Sequence, residues 1–321
     1  MTSYFVLLHL FLFGAIQSGI PRDTSFTITS TAEKITKQYP NAHLVLPSHT
    51  PDVLVLENIV YSSYADRKLH LDIFRPKVTS LKPAVILIHG GGWRSGERTQ
   101  NNAIAERLAE RGLIAVSVEY RLSVEALYPA AVYDLKAAVR WLRAHAVEYG
   151  IDSTRMAAMG CSAGGHLAAL LGTTNKNPMF EGGGGCASNS SAVEAVVDID
   201  GILDFTDPAE SGKDTIPGKP SAGSYWFGGP MREKRSLWVE ASPLVHVDRN
   251  TAPIEFINSA QQRFHAGRDT MIQKLNALGI YHEVHTIPDT PHPFWFFSPW
   301  FERTCEYSVK FLEKVFQIGA Q

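Results

Sequence analysis

The stretch Met156-Ala157-Ala158-Met159-Gly160-Cys161-Ser162-Ala163-Gly164-Gly165-His166 constrains the fold of this chain more than any other. Small and apolar residues run up to Gly160. A serine follows, and then Leu167, Ala168, Ala169, Leu170 and Leu171 have the character of a helix. The pattern is Gly-x-Ser-x-Gly between a strand and a helix, a turn so tight that side chains two before and two after the serine would clash. Such a turn holds the serine in strained backbone geometry with its hydroxyl exposed at a helix N-terminus. Three fixed positions could match by chance, since glycine and serine are common. The flanking strand and helix reduce that chance, and a second stretch reduces it further.

That second stretch is Ala84-Val85-Ile86-Leu87-Ile88-His89-Gly90-Gly91-Gly92-Trp93. An apolar run ends in His-Gly-Gly-Gly, where missing side chains let backbone N–H groups face a ligand atom. Acyl transfer needs such donors, because its tetrahedral intermediate carries an oxyanion. The two motifs, in this order, resemble the α/β-hydrolase superfamily and its esterase branch with an HGGG oxyanion loop. The resemblance runs from about residue 58 to the C-terminus and is nearest to bacterial carbohydrate esterases of the feruloyl and acetyl-xylan type. It implies an oxyanion hole built from the N–H groups of Gly91, Gly92 and Ala163. Cys161 departs from the branch, which usually has Asp or His before the serine.

The apolar pattern agrees with that fold class. Residues 54–61 and 68–74 alternate, as half-exposed edge strands do. Residues 84–88 are continuously apolar, as a parallel strand buried on both faces is, and 113–118 and 193–199 are expected to be further strands. Residues 101–111 and 132–149 have helical spacing, with Val132, Leu135, Val139 and Leu142 on one stripe. Further on, the pattern predicts a strand at 254–258, a helix at 264–278, a strand at 281–287 and a C-terminal helix at 302–316. Strands alternating with helices predict an α/β fold with a mostly parallel, doubly wound sheet. Residues 20–50 look irregular, a lead or partial cover. Residues 202–250 break the rhythm with Pro208, Pro217, Pro220, Pro230 and Pro243, but carry Trp226 and Trp238. They are expected to form an ordered, lid-like insertion after the sixth strand of a single domain spanning 20–321.

Residues 5–16 are apolar but too short to span a bilayer comfortably. They predict a signal peptide over 1–19 and a secreted or periplasmic protein, although no Lys or Arg precedes them. The formal net charge of -2 gives no electrostatic basis for binding nucleic acid or an anionic membrane. Three cysteines cannot all pair, and two free thiols are expected in preference to a Cys186–Cys305 bond. His282-Glu283-Val284-His285 is not the zinc His-Glu-x-x-His pattern and alternates like a strand, so no catalytic metal or other cofactor is expected.

Ser162 is the candidate nucleophile, and a serine hydroxyl needs a positioned base. The order Ser, acid, His of the resembled superfamily selects His292, in Pro288-Asp289-Thr290-Pro291-His292-Pro293 after the last strand. His166 is expected to pack one turn below Ser162, and His89 to brace the glycine loop. The acid is harder to place, because residues 259–264 after the seventh strand contain no carboxylate. Asp269, in His265-Ala266-Gly267-Arg268-Asp269, faintly echoes the family's His-Gly-x-x-Asp loop and is the first choice. Asp204, after the sixth strand, is the alternative, and a backbone carbonyl or Gln262 could orient His292 instead. Aromatics crowd the expected mouth, and Trp93 with Phe294 or Trp295 is expected to touch substrate. The function expected from all this is a serine carboxylester hydrolase that removes short acyl groups, acetyl first, from plant polysaccharide or oligosaccharide. A serine peptidase on the same fold and a non-catalytic carbohydrate-binding relative are the rivals.

Overall fold

The apolar runs become the strands of one eight-stranded sheet. The structure is a computed structural model that describes residues 23–78, 80–211, 218 and 220–318. The leader expected at 1–19 lies outside the described residues. The strands are β1 (Val53–Tyr64), β2 (Arg67–Pro76), β3 (Lys82–Ile88), β4 (Ile114–Val118), β5 (Ile151–Cys161), β6 (Ala195–Ile199), β7 (Ile254–Ser259) and β8 (His282–Ile287). Their order across the sheet is β1-β2-β4-β3-β5-β6-β7-β8. β2 runs antiparallel to both neighbours, and every other pair is parallel. This is the mostly parallel, doubly wound α/β-hydrolase arrangement.

Alternation along each strand sorts the core into two layers. Ala84, Ile86 and Ile88 of β3 face one layer with α3 (Ala130–Ala144), α4 (Ala163–Thr173) and α7 (Arg268–Leu278). Val85 and Leu87 face the other, with α1 (Ile28–Gln38), α2 (Asn102–Glu110) and α8 (Trp300–Phe316). The crossovers between parallel strands deliver their loops to one end of the sheet, which is where such folds bind ligands. No helix among the described residues is long and apolar enough to cross a membrane.

Two segments differ from expectation. Residues 28–38 form α1, opened by a capping box between Thr27 and Ser30. The helix escaped notice because its buried contribution is only Thr31 and Ile35 amid polar and β-branched residues. The helix expected from 264 begins at Arg268 instead, because Gly267 sits at φ +80 and breaks the turn that Gln262–His265 begins.

Residues 202–250 fall between β6 and β7, where the described part contains α5 (Ala222–Phe227) and α6 (Met231–Glu240). Trp226 and Trp238 are fully buried there, and Phe205 and Phe227 join them in an aromatic cluster. Trp226 stacks on Trp93 of the glycine loop with ring centroids 5.0 Å apart and planes 14° from parallel. The insertion is therefore packed onto the site-bearing end of the sheet.

Candidate active site

β5 ends at Cys161, and the chain turns directly into α4. Ser162 occupies the corner at φ +56 and ψ −122, a backbone state that a serine adopts only under constraint. The constraint is close packing. A Cβ on Gly160 would collide with the Gly164 carbonyl, and one on Gly164 with the Ile88 and His89 carbonyls. The Ser162 N–H donates to the Ile199 carbonyl (2.8 Å), tying the corner to the end of β6.

Ser162 Oγ lies 2.8 Å from His292 Nε2, and His292 Nδ1 lies 2.9 Å from Asp200 Oδ2. With the Nδ1–H donating to the carboxylate, Nε2 is left to accept the serine proton. The imidazole is sandwiched by packing. Phe264 stacks on it at 3.7 Å with planes 5° apart, and Trp295 meets it edge-on at 5.0 Å. Asp200 is fully buried, and its other oxygen accepts the Ser259 N–H at 2.7 Å.

The acid position is thus a correction. Asp269 stands on the first turn of α7, 77% exposed, and receives the Arg268 guanidinium at 2.9 Å. Asp204 folds back on its own turn, where its Oδ1 accepts from the Thr206 N–H and hydroxyl at 2.8 and 2.7 Å. The carboxylate that meets His292 is the residue immediately after β6, four positions before Asp204. The sequence carried a signal for it. Val196-Val197-Asp198-Ile199-Asp200 places two acids at the carboxyl end of a fully buried strand, where a charge has no structural use. Asp198 is the other one. Its Oδ1 accepts the Gly201 N–H at 2.8 Å, Oδ2 has no partner, and burial with the nearby Asp200 charge pushes its carboxyl up to about 7.

The glycine loop faces the same serine. The Gly91 carbonyl is drawn outward by the Arg94 and Ser95 N–H groups (3.2 and 3.0 Å) and the Ser95 hydroxyl (2.9 Å). Across a trans peptide, C=O and N–H point opposite ways, so the Gly92 N–H is turned away from those donors. Gly91 and Gly92 sit at φ +118 and +60, states open to glycine. Among the described residues, the N–H groups of Gly91, Gly92 and Ala163 donate to no protein acceptor, and all three residues line the cavity above Ser162. His89 braces the loop from beneath. Its ring stacks on Tyr120, its Nδ1 bonds the Gly90 carbonyl at 2.8 Å, and the Tyr120 hydroxyl donates to the His89 carbonyl. Burial lowers its pKa to about 4, so it stands neutral.

The aromatic expectations divide. Trp295 lines the cavity beside His292. Phe294 does not, because the turn after His292 sends it fully into the core. Trp93 touches the cavity but is only 2% exposed. Its indole N–H donates to His166 Nδ1 at 3.0 Å while His166 Nε2–H donates to the Ala241 carbonyl at 2.8 Å. Trp93 therefore couples the glycine loop to α4 and the insertion instead of offering a free face to a sugar. Burial pushes His166 down to about 4, consistent with the neutral tautomer that this relay requires.

The cavity measures ≈ 660 Å³. One side is the catalytic-type cluster with Phe264, Trp295 and Phe296. Another part of the wall is α1, which contributes Ser30, Thr31, Lys34, Ile35 and Gln38. Residues 20–50 were expected only as an irregular lead or partial cover, and neither the α1 wall nor Phe264 carries a motif that marks it. All three cysteines are free, with Cys161 and Cys305 buried.

A sequence model of the BD-FAE family matches residues 71–270. Among curated proteins, the chain is 30% identical over 238 residues to LipM of Mycobacterium tuberculosis, named a probable carboxylic ester hydrolase, covering 73% of this chain and 52% of LipM. It is 34% identical to esterase LipC of the same organism, over 63% of this chain and 48% of LipC. The chain thus spans about half the length of these relatives. Among solved structures, a truncated carbohydrate esterase from gut microbiota matches with a TM-score of 0.71 at 26% identity, covering 84% of this chain and 98% of that one. A bifunctional GH43-CE protein of Bacteroides eggerthii matches with a TM-score of 0.71 at 29% identity, covering 81% and 38%.

Proposed function

The chain belongs to the BD-FAE family of α/β-hydrolase esterases, and from that premise we propose that it is a serine carboxylester hydrolase acting on short acyl groups, acetyl first, carried by plant polysaccharide or oligosaccharide. One observation carries the reading: the unbroken chain from Ser162 Oγ through His292 to the buried Asp200, opening into a cavity shared with three N–H groups.

Ser162 Oγ attacks the ester carbonyl while His292 Nε2 takes its proton. Asp200 holds the Nδ1–H tautomer and stabilises the imidazolium. The oxyanion develops against Gly91, Gly92 and Ala163, each donor contributing ~3 kcal/mol to the transition state. The imidazolium of His292 then protonates the sugar oxygen as its bond to the acyl carbon breaks, which releases the sugar as a free hydroxyl and leaves the acyl group on Ser162. A water, deprotonated by the same nitrogen, hydrolyses the acyl-enzyme.

The carbohydrate reading draws on the carbohydrate esterases among the matching structures and on the cavity. Its lining combines the polar side chains of Ser30, Thr31, Lys34 and Gln38 with edges of Trp295 and Phe296, a mixture that suits hydroxyl-rich ligands. Export, proposed from residues 5–16, would place the enzyme where such polymers occur. The test is acetate release from acetylated xylan, pectin and mannan, set against p-nitrophenyl acetate, butyrate and octanoate, with Ser162→Ala as the control. Acetyl polymers and acetate should be turned over, and octanoate poorly. Faster cleavage of octanoate than of acetate would overturn the acyl preference. Retained turnover by pure Ser162→Ala would overturn the mechanism.

A further inference from the structure

Away from Ser162, at the edge of the sheet, β7 and β8 bring together Glu255, Glu283 and His285. Glu255 is the cross-strand partner of Glu283. His285 follows Glu283 by two residues on the same strand and so shares its face. The His282-Glu283-Val284-His285 stretch, unremarkable as a helical zinc motif, has a different geometry as a strand. Donor atoms of the three side chains lie within 4.8 Å of one another.

The details are unusual for a simple ion pair. Glu255 is fully buried, yet neither carboxylate oxygen has a hydrogen-bond partner. Its nearest cation is His285, with Nε2 3.4 Å from Oε1, and the same Nε2 lies 3.4 Å from Glu283 Oε2. Charge-assisted N–H···O bonds close to about 2.7–2.9 Å. By contrast, ligand atoms about 2.1 Å from a tetrahedral zinc ion stand about 3.4 Å apart from each other. The surroundings hold the set in place. His285 stacks on Tyr307 of α8 at 3.8 Å. The second Glu283 oxygen is engaged by the Tyr281 hydroxyl and by Lys314 Nζ at 3.3 Å, leaving Oε2 for the cluster. A protonated His285 has one Nε2–H to share between both carboxylates in a long three-centre bond, whereas a cation between the three would satisfy Glu255 and Glu283 at once.

We propose that Glu255, Glu283 and His285 form a binding site for a divalent transition-metal cation of the zinc type, which clamps edge strand β8 to β7 beneath α8. The fourth position is open to water. The chemistry at Ser162 does not pass through it.

The test uses the full chain stripped with a chelator. Zinc is titrated at neutral pH against a chromogenic competitor, and melting is followed in parallel. Saturable binding of one ion, with a rise in Tm, is expected. Glu255→Gln and His285→Ala should each weaken it by ~10-fold or more. His292→Ala should leave it intact, which separates the site from the triad histidine. Cobalt in place of zinc should show the visible spectrum of a tetrahedral ion, lost in His285→Ala. Should the buried Glu255 variant fail to fold, the more accessible Glu283→Gln replaces it, with ester turnover reporting its fold. No saturable zinc binding, binding that survives His285→Ala, or binding abolished by His292→Ala overturns the proposal.

Discussion

Asp200 and Asp198 sit two residues apart, and backbone geometry gives them opposite tasks. Asp200, at φ +52 just past β6, turns its carboxylate to His292 and the Ser259 N–H. Asp198 is still within the strand and has one N–H donor. Asp200→Asn should cut kcat by up to ~10⁴-fold by favouring the wrong imidazole tautomer. Asp269→Asn should remain near wild type, since its carboxylate meets only Arg268 and solvent. Turnover of both, with folding checked by circular dichroism, decides between them, and a crippled Asp269→Asn beside an active Asp200→Asn would reverse the assignment. Asp198 bears on stability. Its folded pKa is raised from 3.8 to about 7, so the stabilisation of its neutral form is complete below the unfolded value and is lost as pH rises through about 7. Asp198→Asn removes that loss. Relative to wild type it should gain stability in urea unfolding progressively as pH rises from 3.8 to about 7, and level off above that. A difference that stays flat across this range would show that Asp198 is not held neutral.

At the scale of elements, two pieces converge on the glycine loop. α4 sends up His166, the insertion contributes Trp226 and the Ala241 carbonyl, and Trp93 joins them through a stack and a hydrogen bond. The insertion therefore supports the oxyanion donors as well as covering them. Trp226→Ala should cost ~3–5 kcal/mol in chemical denaturation, as large-to-small changes in full cores do. It should also lower kcat more than it raises KM, because the loop that binds the oxyanion loses its backing. An unchanged kcat in a destabilised variant would show that the stack is packing alone.

For the whole molecule, the cavity takes part of its lining from α1, far in sequence from the triad histidine. The chain before α1 is pinned to the oxyanion loop by the ion pair of Asp23 with Arg94 and by a bridge between Asp23 and Ser95. α1 then presents Lys34 and Gln38 to the cavity, one turn apart. A small ester does not need that wall, but a polymer that fills the cavity does. Lys34→Ala combined with Gln38→Ala should raise KM for an acetylated polysaccharide several-fold and leave kcat/KM for p-nitrophenyl acetate unchanged. Equal losses on both substrates would mean that α1 shapes the catalytic centre itself.

Local chemistry in the sequence determined a good deal. Gly160, Ser162 and Gly164 can occur together between an apolar run and a helix only as a tight corner, and the run before His89 can only be a buried strand. The sheet, the serine, the glycine loop and the histidine after the last strand are legible because each depends on neighbours within a few residues. The acid was legible only as a neighbourhood, two carboxylates at the end of a buried strand, and not as a residue. Carboxylates have no local signature of ionisation or direction, and the choice among Asp198, Asp200, Asp204 and Asp269 rests on which one β6 and β7 aim at His292, 92 residues away. The same holds for Phe264 on the imidazole, for Phe294 turned into the core while the buried Trp295 reaches the cavity lining, and for α1 as part of the cavity wall. These are decided by packing between segments far apart in the chain, where burial and geometry, not residue type, fix the role.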